Sequence, residues 1–306
     1  MQYDVLIIGA GSAGLSAALT LGRCLRKVLL ADGGRPRNEC SPGVHGFLTR
    51  DGVAPAELLR LGHEQLRPYD TVEVQCLRIE TIRPQAGGFA ATGRGTADDA
   101  PVTLTSRRVL LATGVTDVLP PLPGFRELWG IGVLHCPYCH GWEVRGQPLA
   151  VYGQGRTVTG LALLVSRWSP DIVVLTDGPG HLTPNARRRL RRQKISIREE
   201  PIARLIGSPK RELQGIEFED GSRLERAALF LHAPQLQRSA LAADAGARLT
   251  SKGAVWVDAG METSIPRLYA AGDTTPGTQQ ALLAAADGNR AAILINESLT
   301  REECPK

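Results

Sequence analysis

The sequence predicts an α/β protein built from two doubly wound, three-layer ββα units, the second inserted in the first, and three observations lead there. Two strand, glycine turn, helix segments occur in series, at residues 3–22 and 148–168. The apolar runs at 3–8, 27–31, 107–112, 148–152 and 172–176 are short and continuous, the pattern of strands covered on both faces. Beyond the second segment, Leu268-Tyr269-Ala270-Ala271-Gly272-Asp273 and the Ala- and Leu-rich stretch 279–296 read as one more strand and an amphipathic helix. These complete the first unit, so the predicted domains are 1–117 with 245–306, and 118–244.

Composition bounds the function classes. A chain of 306 residues with 42% hydrophobic and 22% charged residues holds one large or two ordinary domains. That excludes a disordered chain, a collagen-like repeat and a small disulfide scaffold. The opening apolar run Val5-Leu6-Ile7-Ile8 falls far short of the roughly 20 residues needed to cross a bilayer. No basic stretch with a cleavage site precedes it, so a cytoplasmic location and no membrane partner are expected. The net charge is +5, but the basic residues cluster in Arg187-Arg188-Arg189-Leu190-Arg191-Arg192 and aromatics are only 5% of the chain. That reads as a solvated helix face, and no nucleic-acid partner is expected.

The first strand, Tyr3 to Ile8, runs into Gly9-Ala10-Gly11-Ser12-Ala13-Gly14, and the small residues up to Gly22 suit a helix packed closely on a sheet. In this G-x-G-x-x-G, Gly9 permits the tight turn, Gly11 lets a pyrophosphate approach the backbone, and Gly14 lets helix and strand touch. The helix N-terminus offers free N–H groups and a positive dipole end to phosphates. The next strand stops at Asp32-Gly33, with Asp32 placed 18 residues past Gly14, where the ribose of a bound dinucleotide is met. The two units are accordingly Rossmann-like, dinucleotide-binding folds.

Between the units, 87–101 reads as a surface hairpin or meander, Arg107 to Gly114 as a buried strand, and Pro120-Pro121-Leu122-Pro123-Gly124 as a linker. The second unit opens on Pro148 to Tyr152, with Gly153-Gln154-Gly155-Arg156-Thr157-Val158 as its turn, a helix over 159–168 and a strand ending at Asp177-Gly178. Val158 occupies the place where a small residue would allow close packing, so this copy is altered.

Of six cysteines, Cys24, Cys40, Cys76 and Cys304 are scattered and read as packing residues, whereas Cys136 and Cys139 form a C-x-x-C. At a helix start this spacing brings two sulfurs to bonding distance, and the helix end with a nearby His lowers a thiol pKa. Zinc requires two more ligands, and His135 and His140 would crowd four donors into six residues, so no metal is assigned. Cys136 to His140 also matches the c-type haem pattern C-x-x-C-H, which requires an exported chain; an inert buried pair is the other alternative. His45, His63, His181 and His232 receive no assignment.

Gly9-x-Gly11-x-x-Gly14, Ala112-Thr113-Gly114 and Ala271-Gly272-Asp273, with Cys136-Pro137-Tyr138-Cys139 inside the second fold, resemble low-molecular-weight thioredoxin reductases. The resemblance spans nearly the whole chain and implies a flavin-dependent disulfide oxidoreductase, a homodimer, and a thioredoxin-like protein or small dithiol as thiol/disulfide partner. It implies FAD in the first fold, with Gly9, Gly11, Ser12, Ala13 and Gly14 at the pyrophosphate and Asp32 and Gly33 at the adenosine ribose. It further places Thr113, Gly114, Gly272 and Asp273 along the cofactor, and Gln280 and Ala281 near the flavin ring. Cys139 would face the flavin, Cys136 would exchange with substrate, and His140 would do the proton transfer for which thioredoxin reductases usually carry an Asp.

Where NADPH-using relatives carry a His-Arg-Arg cluster, this chain has Asp177-Gly178-Pro179-Gly180-His181. A carboxylate about 4 Å from a 2′-phosphate costs about 4 kcal/mol at an effective dielectric near 20, so NADPH is disfavoured. The stretch Cys136 to Glu143 is also similar to the dithiol oxidases of gliotoxin and holomycin biosynthesis, which return electrons to dioxygen. Asp177 can instead accept hydrogen bonds from an unphosphorylated ribose, as in NADH, and a further similarity, to reductase-like flavoproteins that use no pyridine nucleotide, implies a second FAD; either would lie at Gly153, Gly155, Arg156, Thr157 and Asp177, with Tyr152, Trp142 or Trp168 stacking on a flavin ring. The same three aromatics also read as core residues.

Overall fold

The computed structural model describes residues 2–304. The chain divides into two compact units: Met1–Glu39, Phe47–Thr116 and Leu236–Lys306 form unit 1, and Cys40–Gly46 with Asp117–Gln235 form unit 2. In unit 1, β1 (Gln2–Ile8), α1 (Ser12–Arg23) and β2 (Val28–Ala31) are followed by α2 (Pro55–Leu66), β3 (Val72–Gln75), β4 (Leu77–Gln85), β5 (Gly88–Gly95) and β6 (Pro101–Leu111). Past β7 (Val115–Asp117), unit 2 contains β8 (Val133–Leu134), α3 (Pro137–His140), β9 (Leu149–Tyr152), α4 (Gly155–Val165), β10 (Ile172–Leu175), α5 (Pro184–Arg192) and β11 (Ser196–Arg198). It continues with β12 (Ile202–Gly207), β13 (Leu213–Phe218), β14 (Arg223–Leu224) and β15 (Ala228–Leu231). Then β16 (Gln235–Gln237) leads back to α6 (Leu241–Asp244), β17 (Leu268–Ala270) and α7 (Ala281–Glu303) in unit 1.

The unit 1 sheet runs β3-β2-β1-β6-β5-β4, with β17 also on β6. The β3, β2, β1, β6 and β17 pairings are parallel, while β4, β5 and β6 form an antiparallel meander. The side-chain period of two explains why β1 has no polar face. Val5 and Ile7 pack with α1 and α7, while Leu6 and Ile8 pack with β4, β5 and α6 on the opposite side. Burial of each such side chain contributes about 1.5–3 kcal/mol. Unit 2 repeats the plan with a parallel sheet β11-β10-β9-β15-β8 and the antiparallel β12-β13-β14. Its Leu149 and Val151 face α4, and Ala150 and Tyr152 face β12 and β13.

Several boundaries differ from the sequence reading. Unit 1 resumes at Leu236, not 245, because Leu241 and Ala242 of α6 are buried with Ile79 and Phe89. The helix of the second turn begins at Gly155, not 159, and α7 runs on to Glu303. Residues 120–124 are no free linker: Leu205 donates its N–H to the Pro123 carbonyl, and Phe125 is fully buried. Cys24, Cys76 and Cys304 are exposed where elements end, and Cys40 is half-buried in the loop between β2 and α2. Among the described residues no helix is long and apolar enough to cross a membrane.

Candidate active site

In unit 1 the sequence motifs converge on the C-terminal ends of adjacent parallel strands. Gly9 follows β1, Asp32 follows β2, Ala112-Thr113-Gly114 follows β6, and Gly272-Asp273 follows β17. Such a row of strand ends is where open α/β sheets bind ligands. Gly9 has φ +106°, and a Cβ there would lie 2.5 Å from the Ala112 oxygen. A Cβ on Gly14 would overlap the Gly9 carbonyl, and one on Gly288 of α7 would overlap the Ala13 carbonyl. Gly272, at φ +72°, lies against Ala13 and Ala284.

Gly11 differs from these: nothing lies within 4 Å of its would-be Cβ, and no side chain caps α1 behind it. No side chain therefore caps the first-turn N–H groups at Ser12 and Ala13. Gln280 and Ala281 open α7, which also has no side-chain cap. Asp32 is half-buried and accepts from the Gly34 N–H, with Gly33 exposed beside it. The Thr274 hydroxyl accepts from the Gly114 N–H at 2.7 Å and lies 3.4 Å from the Thr113 hydroxyl.

Two groups here escaped the sequence reading. Arg37 bonds Asp273 at 2.9 Å and Gln279 at 2.7 Å. Asp287, on α7, has its pKa raised by burial first and by Asp273, against Arg290 and a bond from the Gly272 N–H.

In unit 2, Cys136 and Cys139 are joined as a disulfide at the start of α3, directly after β8. Pro137 takes the first helical position, and Cys136 is the N-cap, its Sγ accepting from the Cys139 N–H at 3.1 Å. Gly141 ends the turn with the Trp168 ring against its backbone, 2.8 Å from a would-be Cβ. Tyr138 meets the same ring edge-on. Tyr138 and Trp142, on either side of Cys139, are 65% and 66% exposed.

His140 is largely enclosed, and its Nδ1 is buried without a hydrogen bond. Its Nε2 lies 3.0 Å from the Ser41 hydroxyl, supplied by the loop Cys40–Gly46. His45 of that loop lies 3.6 Å from Glu143 and edge-on to His140. Burial chiefly, then His45, pushes the His140 pKa below the usual histidine value, while Glu143 and the Cys136 carbonyl oppose that. The loop reaches this place because Gly130, at φ +87°, has no Cβ; one would lie 2.9 Å from Cys40. No periodicity marks residues 40–46, so Ser41 and His45 were missed; a histidine two residues past a Ser-Pro-Gly turn was the available signal.

The second glycine turn is closed by its own chain. The Gly155 N–H donates to the Gly180 carbonyl at 2.8 Å, and Gln154 Nε2 donates to the Thr176 carbonyl. Val158 is 2% exposed and fits because α4 stands off: a Cβ on Gly153 would meet Val158 at an ordinary 3.5 Å. The Asp177 carboxylate accepts from the Ile202 N–H at 2.8 Å and the Tyr152 hydroxyl at 3.3 Å. Burial, then Asp177, pushes that phenol up to about 12. Glu199 takes the Gly180 N–H and pairs with Arg187. Arg156 and Thr157 lie in the first turn of α4. Tyr152 packs edge-on to Phe125, Trp168 covers Gly141, and Trp142 lies under the Arg145 guanidinium, so each of the three aromatics has a partner within unit 2. Among the described residues no group of three or more His, Cys, Asp or Glu side chains is arranged to hold a metal ion.

Comparison with known proteins agrees with this arrangement. Residues 3–288 match the family described as pyridine nucleotide-disulphide oxidoreductase. The chain is 31% identical to thioredoxin reductase sirT of Leptosphaeria maculans, over 96% of this chain and 93% of that one. It is similar to the crystal structure of HlmI, with 35% identity and a TM-score of 0.90 over 99% and 94% of the two chains. The oxidoreductase from Agrobacterium tumefaciens, 29% identical, superposes with a TM-score of 0.90 over the whole of both chains.

Proposed function

The chain belongs to the pyridine nucleotide-disulphide oxidoreductase family, and from that premise we propose that it passes electron pairs between FAD and a thiol/disulfide substrate through the Cys136–Cys139 disulfide, with a dithiol and not NADPH as its reductant. Family membership makes it a thioredoxin reductase-like flavoprotein enzyme acting on sulfur groups. The observation that carries the finer reading is the Cys136–Cys139 disulfide followed directly by an enclosed His140, whose pKa burial lowers.

Unit 1 fits FAD. The open space at Gly11 and the uncapped start of α1 suit a pyrophosphate held by Gly9, Gly11, Ser12, Ala13 and Gly14, and Asp32 with Gly33 suits the adenosine ribose. Thr113, Gly114, Gly272 and Asp273 would line the rest of the cofactor, with Gln280 and Ala281 at the ring. When bound, FAD supplies a two-electron acceptor or donor. The chain's own chemistry is thiol–disulfide exchange. A substrate thiolate attacks Cys136, the sulfur–sulfur bond breaks, and Cys139 leaves with the electron pair. The second substrate thiolate then displaces Cys136, and His140 carries the protons from the substrate thiols to the two cysteines. Exposed Tyr138 and Trp142 offer a small apolar dithiol flanking contacts.

The self-closed turn favours reductants other than NADPH. Asp177 and Glu199 around the 177–181 stretch offer a 2′-phosphate two carboxylates, and the Gly155 N–H, taken by Gly180, is one donor fewer for a pyrophosphate. Tyr152 and Trp168, packed on Phe125 and Gly141, do not support a second FAD. The family resemblance implies a homodimer, which sedimentation equilibrium checks.

Anaerobic titration with NADPH, NADH and dithiothreitol in turn, with FAD per chain measured on the same sample, tests the reading. Bleaching of the flavin by dithiothreitol alone, with one FAD per chain, is expected. Bleaching by NADPH restores a conventional reductase. Dithiol consumption under air that continues past one flavin equivalent identifies an oxidase, whereas arrest after one equivalent identifies a sensor. Cys136→Ser and Cys139→Ser should each abolish dithiol-driven turnover.

A further inference from the structure

Ser41 stands 99 residues before His140 in sequence, and its side-chain oxygen lies 3.0 Å from the imidazole Nε2. A serine hydroxyl has one proton to give. Here it goes to the Gly43 carbonyl at 2.8 Å, in a part-buried bond within the loop. Toward His140 the Ser41 oxygen is consequently an acceptor, and Nε2 must be the donor. A neutral imidazole protonated on Nε2 has its lone pair on Nδ1, the atom that is buried without a hydrogen bond. The groups facing the ring are Ser41, His45, Glu143 and the Cys136 carbonyl. An Nδ1–H directed at the Cys136 carbonyl is the competing arrangement. It requires Ser41 to turn its proton onto Nε2 and forsake Gly43, and the Cys136 carbonyl already accepts from the Cys139 and His140 N–H groups.

We propose that Ser41 is a positioning residue that holds His140 as the Nε2–H tautomer and so presents Nδ1 as the base serving the Cys136–Cys139 pair. The base role rests on the function proposed above, whereas the tautomer does not. In the exchange, Nδ1 takes the proton of the attacking substrate thiol. The new bond joins substrate sulfur to Cys136, the Cys136–Cys139 bond breaks, and Cys139 receives the electron pair as thiolate and then the proton from Nδ1. One proton and one electron pair are thereby accounted for, with no external acceptor. Ser41 touches neither sulfur in this scheme; it acts through the imidazole.

The test uses the oxidised full-length protein labelled with ¹⁵N-histidine, with His140 assigned by comparison with His140→Asn. At neutral pH, Nε2 should resonate as a protonated nitrogen and Nδ1 as an unprotonated one. Ser41→Ala should lose that selection and slow dithiothreitol reduction of the disulfide about 10-fold, the scale on which such supporting contacts act. Ser41→Thr, which keeps the hydroxyl, should restore both. An Nδ1–H tautomer in the unaltered protein overturns the proposal, as does a Ser41→Ala protein with unchanged tautomer and rate. The Nε2–H tautomer in a protein whose disulfide no dithiol reduces supports the Ser41 assignment and sinks the functional reading instead.

Discussion

Each glycine of the first turn does a different job, and single methyl groups separate the jobs. A Cβ on Gly14 has nowhere to go, because the Gly9 carbonyl occupies its place and neither backbone segment is a flexible end. Gly14→Ala should therefore destabilise unit 1 by about 2–4 kcal/mol, read from denaturation midpoints. A Cβ on Gly11 meets nothing, and the φ of −73° there suits alanine. Gly11→Ala should leave stability within about 1 kcal/mol but reduce bound FAD, read from the flavin-to-protein absorbance ratio. Equal effects in both variants would refute this division. His140 gives a second prediction at this scale. Its lowered pKa keeps the ring neutral at pH values where an ordinary histidine is charged. The ratio of dithiol reduction rates for the unaltered protein and His140→Gln should therefore hold as pH falls through about 6.5, and decline only below it. A decline centred at or above that pH contradicts the buried, neutral assignment.

At the scale of elements, close approach decides the sign of a glycine replacement. Gly288 lies mid-helix in α7 directly over the Ala13 carbonyl, whereas Gly160 lies mid-helix in α4 with open space around it. Gly288→Ala should cost about 1–3 kcal/mol by prising α7 from α1. Gly160→Ala should gain about 0.4–1 kcal/mol, since it only restricts the unfolded chain; thermal melting of the two variants checks the opposite signs. This contrast also explains how much could be read beforehand. The strands, the three strand-end motifs and the C-x-x-C were legible because apolar continuity and glycine spacing are local patterns. The early start of α4 was not, since the Gly155 N–H bond to Gly180 depends on a loop far along the chain. Nor was the docking of residues 40–46, which depends on the missing Cβ of Gly130 and leaves no periodicity of its own. His140 was found from its place after Cys139, but Ser41, which sets the hydrogen bonding of the ring, was not.

At the scale of the whole chain, inserting unit 2 leaves unit 1 discontinuous, and its C-terminal stretch must be held to strands formed by the first hundred residues or so. Part of that hold is electrostatic and lies at the end of α7. Glu303 pairs with Arg26 at 2.7 Å and with Arg107 at 2.5 Å, and Arg107 also reaches Asp4. Glu302 meets Arg108 at 2.6 Å, and that guanidinium is only 3% exposed. Bonds from Arg26 and then Arg107 hold the Glu303 pKa down to about 2, and Arg108 lowers that of Glu302. A carboxyl with a depressed folded-state pKa contributes stability that is present above its ordinary value of 4.5 and is lost as pH falls toward the folded value. The melting temperature should accordingly drop between about pH 4.5 and 2, and Glu303→Gln should flatten that part of the profile. Glu302→Gln should cost about 1–2 kcal/mol at neutral pH, because it leaves a buried guanidinium with one charged partner fewer while the carboxylate itself is partly solvated. Added salt should weaken the Glu303 contribution more than that of Glu302, since Arg108 is shielded from counterions and Glu303 is not. If both variants melt like the unaltered protein at every pH and salt concentration, apolar packing of α7 on α1 alone holds the C-terminal stretch in place.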